Sequence, residues 1–455
     1  MPTPRIAPAR IRALQHAERE HFLATHPASL ALGEAAQQHY LFGVPLHWMR
    51  DWPSPASLFV RQARGVTLTC ADGLDYADFC LGDTGAMFGH SPGAVAQAIA
   101  RQAAQGLTCM LPTTLAPAVG AGLQRVFGLP MWQLALSASD ANRFVLRWAR
   151  AVTGRPTLLV FDGCYHGAVD DTLVDLDPAS GATLPRPSVL GQVHNHADFT
   201  RVVPFNDLPV LEAALARRDV ACLLAEPALT NFGLVPPAPG FWDAARALCR
   251  EHGSLFVCDE THTVSTALGG YAQAHGLEPD VLVVGKAVAG GLPCAVYGFT
   301  LDMATRMAAA KATAPEGHSG IGTTLSGNAL TLAALDAALE HLHTQANYDH
   351  MLALAEQLEQ GLASRIARAG MPWTVTRLGA RMELQFMPHT PRNAQDVREH
   401  AQTEMEALTH LYMLNRGVLL TPFHSMLLVS PETGAQDIAR LLAGFDKLLA
   451  ELATN

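Results

Sequence analysis

The sequence predicts an α/β fold: a large domain built on a mostly parallel, doubly wound sheet, plus a smaller α+β domain. Between residues 93 and 330, short apolar runs alternate with helical periodicity, as in a parallel sheet covered by helices. After residue 330, a long helical stretch precedes grouped strand-like segments and a final helix, which is typical of an α+β domain. We therefore expect residues 1–92 to be an N-terminal part of the small domain, 93–330 the large domain, and 331–455 the C-terminal part of the small domain.

Composition limits the classes of partner. The chain has 455 residues, 49% of them hydrophobic, and a net charge of −10, which argues against nucleic acid or an anionic membrane surface as partner. The apolar stretches are too short or too interrupted by charge to span a bilayer, and the N-terminus lacks the apolar core of a secretory signal. The eight cysteines form no C-x-x-C pair and the histidines form no H-E-x-x-H motif, so we expect a cytoplasmic enzyme with reduced cysteines and no metal.

The first ninety residues read as two helices, a loop and two strands. Helical patterns cover residues 5–23 and 29–41, and three prolines make residues 43–55 a loop. Residues 58–80 alternate as strand, turn and strand, and a helix follows at 94–105.

The remaining elements follow from runs of apolar residues and from helical periodicity. Strands are predicted at Trp132–Leu136, Thr157–Phe161, Gln192–Val203, Ala221–Ala225, Leu255–Cys258, Val281–Val284, Ala295–Thr300, Thr374–Leu378, Arg381–Gln385, Val418–Thr421 and Met426–Val429. Helices are predicted at Ala141–Val152, Asp207–Arg217, Gly240–His252, 331–365 (as one helix or two) and Ala435–Leu452.

Two of these strands end in groups of complementary chemistry. Leu255–Cys258 runs into Asp259 and Glu260, and Val281–Val284 runs into Gly285 and Lys286. Ligands of open α/β sheets lie beyond the carboxyl ends of the strands, so the acid and the amine should face one crevice. A lysine that holds an aldehyde as a Schiff base, with an aspartate on the pyridinium nitrogen, is what pyridoxal phosphate requires.

Lys286 stands out because lysine is rare in this chain. The sequence contains only Lys286, Lys311 and Lys447. The last two lie in helical stretches with a solvated pattern, whereas Lys286 follows a buried strand and precedes the glycine-rich turn A-V-A-G-G-L-P. The alternative is an ordinary surface lysine.

Further candidate residues stand at other predicted strand ends. Ser137, Ala138 and Ser139 open a helix, and a helix N-terminus with small side chains suits a phosphate, although Ser and Asp are also common helix caps. Tyr165 lies between two glycines and could stack on a flat ring or plug the sheet edge. His166 could orient a ligand or be structural. Glu226 and Asn231 follow another strand, and residues 316–328 have the composition of an anion-binding loop.

In this order the motifs resemble those of a class III pyridoxal-phosphate aminotransferase of fold type I, closest to the glutamate-1-semialdehyde aminomutase-like branch. The likeness covers about residues 55–450. The family's S-G-T-E-A corresponds to S-A-S-D-A at 137–141, and its G-C-Y-H-G is intact at 163–167. Four further family motifs have counterparts here: E-P-x-x-x-N at Glu226–Asn231, D-E-V at Asp259–Thr261, G-K at Gly285–Lys286 and G-T-L-S-G-N at Thr323–Asn328.

The resemblance implies roles for single residues. Lys286 is the Schiff-base lysine and proton shuttle, Asp259 holds the pyridinium proton, and Tyr165 stacks on the ring. It implies Ala138 and Ser139 at the phosphate, Asn231 near O3′, and His262, where many relatives carry Gln or Met, also near O3′. Thr324 would reach the phosphate of the partner subunit in a homodimer or dimer of dimers. His166 and Glu226, the latter of which could face the O3′ side, complete the expected cofactor contacts.

The implied activity is transfer of an amino group between an amino acid or amine and a keto acid or aldehyde. An intramolecular aminomutase of the glutamate-1-semialdehyde type and an amino-acid racemase or epimerase use the same apparatus. A non-catalytic cofactor-binding protein would require loss of Lys286 or Asp259. A nicotinamide dehydrogenase would need G-x-G-x-x-G, which the N-terminal half does not contain. Ala138 in place of Gly and T-H-T-V-S-T in place of V-M-T-G-F-R leave the substrate class open.

The loop at 43–55 is the candidate substrate-selecting segment. It carries His47, Trp48, Arg50 and Trp52. Arg50 could clamp a substrate carboxylate in a bidentate pair while Trp48 and Trp52 form an apolar wall. The alternatives are a surface ion pair for Arg50 and a clamp formed instead by one of the arginines further along the chain, Arg377, Arg381 or Arg416.

Overall fold

The computed structural model describes residues 6–453, which contain fourteen α-helices and sixteen β-strands. The helices are α1 (Pro8–Thr25), α2 (Pro27–Ala36), α3 (Gly93–Ala103), α4 (Ala116–Phe127), α5 (Ala138–Thr153), α6 (Leu208–Leu215), α7 (Phe241–His252), α8 (Gly270–His275), α9 (Leu301–Thr313), α10 (Ala329–His341), α11 (Gln345–Ala369), α12 (Ala394–His400), α13 (Thr403–Leu414) and α14 (Ala435–Ala453). The strands are β1 (Val60–Arg64), β2 (Thr67–Cys70), β3 (Asp75–Asp78), β4 (Met131–Ala135), β5 (Thr157–Phe161), β6 (Val174–Leu176), β7 (Thr183–Pro185), β8 (Thr200–Val203), β9 (Val220–Ala225), β10 (Leu255–Asp259), β11 (Val281–Val284), β12 (Ala295–Phe299), β13 (Thr374–Leu378), β14 (Arg381–Gln385), β15 (Val418–Leu419) and β16 (Met426–Leu428).

By its internal contacts the chain divides into two compact units. The first contains the residues up to Pro92, Asp349–Thr390 and the residues from His400 onward, and the second contains Gly93–Tyr348 and Pro391–Glu399. This division differs from the expected one at 331–348, where α10 packs on α3 and α4 of the second unit, and at 391–399, which also belong to the second unit. None of the helices within residues 6–453 has the length and apolar character needed to cross a bilayer.

The second unit is organised around a seven-stranded sheet in the order β4-β12-β11-β10-β9-β5-β8. β8, β5, β9, β10 and β11 pair in parallel, and only β12 runs against its neighbours. The residues of β5, β9, β10 and β11 are all buried, which explains their uninterrupted apolar sequences. The predicted fold class, α/β with a mostly parallel large sheet, is confirmed.

The first unit contains a four-stranded sheet, β1-β2-β3-β15, and a three-stranded antiparallel sheet, β13-β14-β16. Apolar residues of α1, α11, α13 and α14 pack with both sheets in one core. The pattern at 58–80 predicted two strands, but there are three, because the chain also reverses between Arg64 and Thr67 at Gly65. The helical stretch 331–365 is two helices, α10 and α11, which are separated at residues 342–344.

Candidate active site

Asp259 is the last residue of β10 and is buried at the carboxyl edge of the large sheet, where it accepts several hydrogen bonds. Oδ2 accepts from Asn142 Nδ2 (2.8 Å) and pairs with His166 Nδ1 (2.9 Å), and Oδ1 accepts from the backbone N–H (3.1 Å) and Oγ1 (2.6 Å) of Thr261. Burial alone would raise the pKa of Asp259, but His166, Thr261 and Asn142 outweigh burial and hold the pKa below its usual value. Asp259 is therefore an anion at neutral pH.

His166 is the charged partner of this carboxylate. It is buried, and its carbonyl oxygen accepts from Asn142 Nδ2 (3.1 Å). Burial alone would lower the pKa of His166, but Cys164 and the hydrogen bond to Asp259 outweigh it and hold the pKa well above its usual value. Neither Asn142 nor Thr261 was expected at the site from the sequence. Asn142 lies among the buried residues of α5, and a buried amide on an otherwise apolar helix face was the available signal.

Glu260, the next residue, is bound in a different way. Its carboxylate accepts from the backbone N–H groups of Tyr271 (2.9 Å) and Ala272 and from Thr263 Oγ1 (2.7 Å). Burial raises the pKa of Glu260 to about 7, although these hydrogen bonds act in the opposite direction. Through these hydrogen bonds Glu260 holds the chain after β10 against the start of α8. The three partners lie 3 to 12 residues further along the chain.

Lys286 follows β11, the strand that pairs with β10 so that Asp259 lies opposite Val283. Its backbone has φ +48°, a left-handed conformation that side-chain-bearing residues seldom adopt and that clusters at functional sites. A Cβ on the preceding residue, Gly285, would lie 2.8 Å from the Cβ of Ala138, so the chain before Lys286 passes directly against the start of α5. The Nζ atom of Lys286 lies 2.7 Å from Nε2 of His262.

Small polar side chains open α5. Ser137 is the N-cap, and its Oγ accepts from the backbone N–H of Asp140 (3.2 Å). Ser139 Oγ accepts from the backbone N–H of Ala168 (3.0 Å), and a Cβ on Gly167 would lie 2.0 Å from that oxygen. The loop after Tyr165 therefore touches the first turn of α5, and only glycine fits at position 167.

The strand-end residues Tyr165, Glu226 and Asn231 lie together. Glu226 is buried and accepts from the backbone N–H of Tyr165 (3.1 Å), from the backbone N–H of Thr230 (3.2 Å) and from Thr230 Oγ1. Burial raises the pKa of Glu226, although His166 and these hydrogen bonds lower it. Tyr165 is 46% exposed. Asn231 is half-buried, and its Nδ2 lies 3.4 Å from Thr230 Oγ1.

The other candidates are exposed residues outside these strand ends. Thr324 is exposed in the segment between α9 and α10. Trp48 and Arg50 belong to the first unit, in a short 3₁₀ turn (His47–Arg50), and both are exposed. The alternative arginines of the first unit already have acidic partners: Arg377 with Glu359, Arg381 with Glu383 and Arg416 with Glu18.

Pyridoxal phosphate fits the residues at the ends of β10 and β11. The group needs an ionised acid for its ring nitrogen, a primary amine for its aldehyde and donors for its phosphate. Asp259 is a buried anion, Lys286 follows the neighbouring strand, and the Gly285–Ala138 contact brings the start of α5 beside that lysine.

Comparison with known proteins agrees with this fit. The family profile Aminotransferase class-III matches residues 49–445. The glutamate-1-semialdehyde 2,1-aminomutase of Sorangium cellulosum is 35% identical over 400 residues, which are 86% of this chain and 89% of that protein. The crystal structure of a glutamate-1-semialdehyde-aminomutase from Pseudomonas aeruginosa PAO1 has a TM-score of 0.96 and 48% identity, with 98% of this chain and 99% of that chain covered.

Two further solved structures extend the comparison. A lysine-to-alanine variant of the Pseudomonas aeruginosa enzyme is described in complex with PMP, and it has a TM-score of 0.96 and 47% identity over 98% of this chain and 99% of that one. A β-phenylalanine aminotransferase from Variovorax paradoxus has a TM-score of 0.86 and 25% identity, with 97% of each chain covered. The protein described here belongs to the class III aminotransferases, which are pyridoxal-phosphate-dependent enzymes.

Proposed function

We propose that the protein moves an amino group within a small amino-carbonyl substrate, as a glutamate-1-semialdehyde-type aminomutase. The observation that carries the proposal is that Asp259 and Lys286 stand at the ends of two adjacent strands, β10 and β11. The chain also resembles an aminomutase over nearly its whole length. A transaminase with separate donor and acceptor is the second candidate, favoured by the likeness to the β-phenylalanine aminotransferase.

In this reaction pyridoxal phosphate supplies an electron sink for the carbon that loses a proton. Asp259, kept anionic by His166, Asn142 and Thr261, holds the proton on the ring nitrogen. Lys286 would hold the aldehyde of that group, and its free amine would take the proton from the substrate carbon and return it at another position. The first turn of α5, with Ala138 and Ser139, binds the phosphate.

The remaining assigned residues orient the group and limit its motion. We assign Tyr165 to the ring face, and Asn231 and His262 to the O3′ side. Glu226 fixes the Tyr165 backbone through its hydrogen bond to that N–H group. Asp259 would serve the ring nitrogen and Lys286 the aldehyde, so the chemistry needs both strand ends.

We also propose that the enzyme is a homodimer, or a dimer of dimers, in which Thr324 reaches the phosphate bound by the partner. An exposed apolar segment supports this: Leu107, Met110 and Leu111 are 50%, 78% and 72% exposed. The Leu330 N–H donates to Leu107 O (3.3 Å), which ties this segment to the end of the Thr324 loop. A fully active monomer in analytical ultracentrifugation would overturn the proposal.

We also propose that Trp48 and Arg50 select the substrate and that the protein is cytoplasmic. All eight cysteines are free and seven of them are buried, which suits a reducing compartment.

The experiment uses protein loaded with pyridoxamine phosphate and glutamate-1-semialdehyde as the only substrate. We expect an isomer of equal mass in which the amino group has moved from carbon 2 to carbon 1, without any added amino donor or keto acid. Product that appears only after a separate donor and acceptor are supplied would replace the aminomutase by the transaminase. Inversion at carbon 2 alone would indicate a racemase.

A further inference from the structure

The loop that carries Tyr165 begins with a buried ion pair. Asp162 directly follows β5 and is 4% exposed. Its carboxylate oxygens Oδ2 and Oδ1 accept from Nη1 and Nη2 of Arg398, both at 2.7 Å. Because the carboxylate and the guanidinium are planar, two parallel hydrogen bonds fix the orientation of both side chains. Arg398 lies in α12, 236 residues further along the chain, so only the folded protein forms this pair.

Residues 391–399, which form most of α12, belong to the second unit, although the chain on both sides of them belongs to the first. Two contacts besides the ion pair hold this segment on the second unit. Asn206 Nδ2 donates to the carbonyl oxygen of Arg392 (2.8 Å). A Cβ on Gly163 would lie 2.7 Å from the Cβ of Ala394. The segment therefore packs directly on the second residue of the loop.

Arg398 also contacts the loop that carries Asn231. Its Cζ lies 4.9 Å from the centre of the Phe232 ring, in a cation–π contact. Phe232 directly follows Asn231 in the chain. A Cβ on Gly163 would lie 3.3 Å from the Cβ of Phe232, so the two loops touch each other beside this arginine. One guanidinium therefore bridges the start of the Tyr165 loop and the Asn231 loop.

The pair is charged, and it compensates the burial of the Asp162 carboxylate. The hydrogen bonds to Asp162 raise the pKa of Arg398 above its ordinary value, so the guanidinium is a cation at neutral pH. Asp175 also acts on the charge of Arg398, but it is paired with Arg186 (2.8 Å). Removal of the guanidinium would leave a buried carboxylate without this cation, which is costly. The loop around Asp162 would then have to move to let water reach the carboxylate.

We propose that Arg398 is a positioning residue, which holds the loops that carry Tyr165 and Asn231 in one arrangement for the bound cofactor. It acts through Asp162 and Phe232 and not by touching the cofactor or the substrate. The inference deepens the proposed function, from which it takes Tyr165 and Asn231 as cofactor contacts. When the ion pair is lost, the two loops shift relative to each other, so the cofactor binds less tightly and its ring is held less firmly.

The test measures the binding of pyridoxamine phosphate to the full-length protein by equilibrium dialysis, because this form of the cofactor has no aldehyde and makes no bond to Lys286. The variants are Arg398→Met, Arg398→Lys, Asp162→Asn and the double variant of Arg398→Met with Asp162→Asn. Arg201→Met is the matched control, because Arg201 forms a bidentate pair with Asp219 (3.1 and 2.9 Å) in the same unit, before the start of β9. Circular dichroism of the cofactor band reports how the ring is held, and the melting temperature reports the stability of the fold.

We expect Arg398→Met to raise the dissociation constant of pyridoxamine phosphate about tenfold, the size of one hydrogen bond to a charged group, and to weaken the circular dichroism of the bound cofactor. Arg398→Lys keeps the charge but not the planar fork, so its dissociation constant should rise about threefold. Asp162→Asn should raise the constant too, and the double variant should bind no more weakly than Arg398→Met, because the two residues act as one pair. Arg201→Met should lower the melting temperature and leave the dissociation constant within about twofold of wild type.

Two results would overturn the proposal: wild-type dissociation constants in the Arg398 and Asp162 variants with a lower melting temperature alone, or losses of affinity that add up in the double variant. Arg398→Lys and Asp162→Asn decide the question even where Arg398→Met does not fold. Because binding needs no substrate, weaker binding in these variants together with an absent aminomutase activity of the wild type would reject only the proposed function. Aminomutase turnover with unaltered binding in all variants would reject only the role of Arg398.

Discussion

Two regions carry predicted contacts of one reaction: the strand ends at Asp259 and Lys286, and the 3₁₀ turn at His47–Arg50. The side chains of the two regions differ greatly in burial and in the contacts that fix them. Asp259 is 3% exposed and is bound by three different side chains. The side chain of Arg50 is 55% exposed, lies 3.6 Å from Asp51 and stacks 4.1 Å above the Phe42 ring.

The difference shows what a buried ladder contributes to a site. Parallel pairing of β10 with β11 fixes the register of every residue up to Asp259, so the direction of the side chain follows from the strand. Arg50 is held by a surface ion pair and a cation–π contact, each of which contributes on the order of 1 kcal/mol or less. Substitutions in the two regions should therefore differ in how much they change activity and in which kinetic or stability parameter they change.

The largest effect is expected for Lys286→Ala. Loss of the amine removes both the bond to the cofactor and the proton-transferring base, so turnover should fall below detection while the fold persists. Absorbance spectroscopy should show that the visible band of the lysine-bound cofactor is absent, and pyridoxamine phosphate should still bind. A variant that retained wild-type turnover would break the assignment of this strand end.

Asp259→Asn should give the next largest effect. The amide cannot hold a proton on the ring nitrogen, so removal of the substrate proton should slow by about three orders of magnitude or more while the cofactor stays bound. Single-turnover kinetics with an α-deuterated substrate measure this step. Asn142→Ala is the matched variant: it removes one hydrogen bond to the carboxylate and should slow the step by only about tenfold. Equal rates for wild type and Asp259→Asn would contradict the role.

Glu260→Gln sharpens the comparison within the strand end itself. The pKa of Glu260 is raised by burial from the ordinary 4.5 to about 7, so folding favours the protonated acid. Its contribution to stability is complete below pH 4.5 and is lost as the pH rises through 7, by about 3 kcal/mol at 1.36 kcal/mol for each pKa unit. Relative to Glu260→Gln, wild type should lose melting temperature between pH 5 and pH 8. Parallel pH profiles would show that this carboxyl ionises as easily as in the unfolded chain.

The smallest effect is expected for Arg50→Ala. A lost carboxylate clamp should raise KM for amino-acid substrates by at most about 10²-fold, with little change for amines that lack a carboxylate. Arg61, another arginine of the first unit, provides the control variant Arg61→Ala, which should leave KM unchanged. An equal loss of activity with amino acids and with amines that lack a carboxylate would show that Arg50 is not the carboxylate clamp.

Sequence reasoning located the elements of the large sheet because burial on both faces produces uninterrupted apolar runs. Thr157–Phe161 and Val281–Val284 coincide with β5 and β11. The reversal at Gly65 was missed because one glycine between two polar segments carries little pattern. The contacts of Asn142 with Asp259 and of His262 with Lys286 join residues 117 and 24 positions apart, and only the folded sheet brings them together.

The most direct test of the account is to identify the residue that binds the cofactor. Borohydride reduction of the protein loaded with pyridoxal phosphate, followed by peptide mass spectrometry, fixes the cofactor to the lysine that held it. The chain has three lysines, and we expect the added mass on the peptide containing Lys286 alone. Cofactor mass on Lys311 or Lys447, or on no lysine of a protein that is catalytically active, would contradict the account.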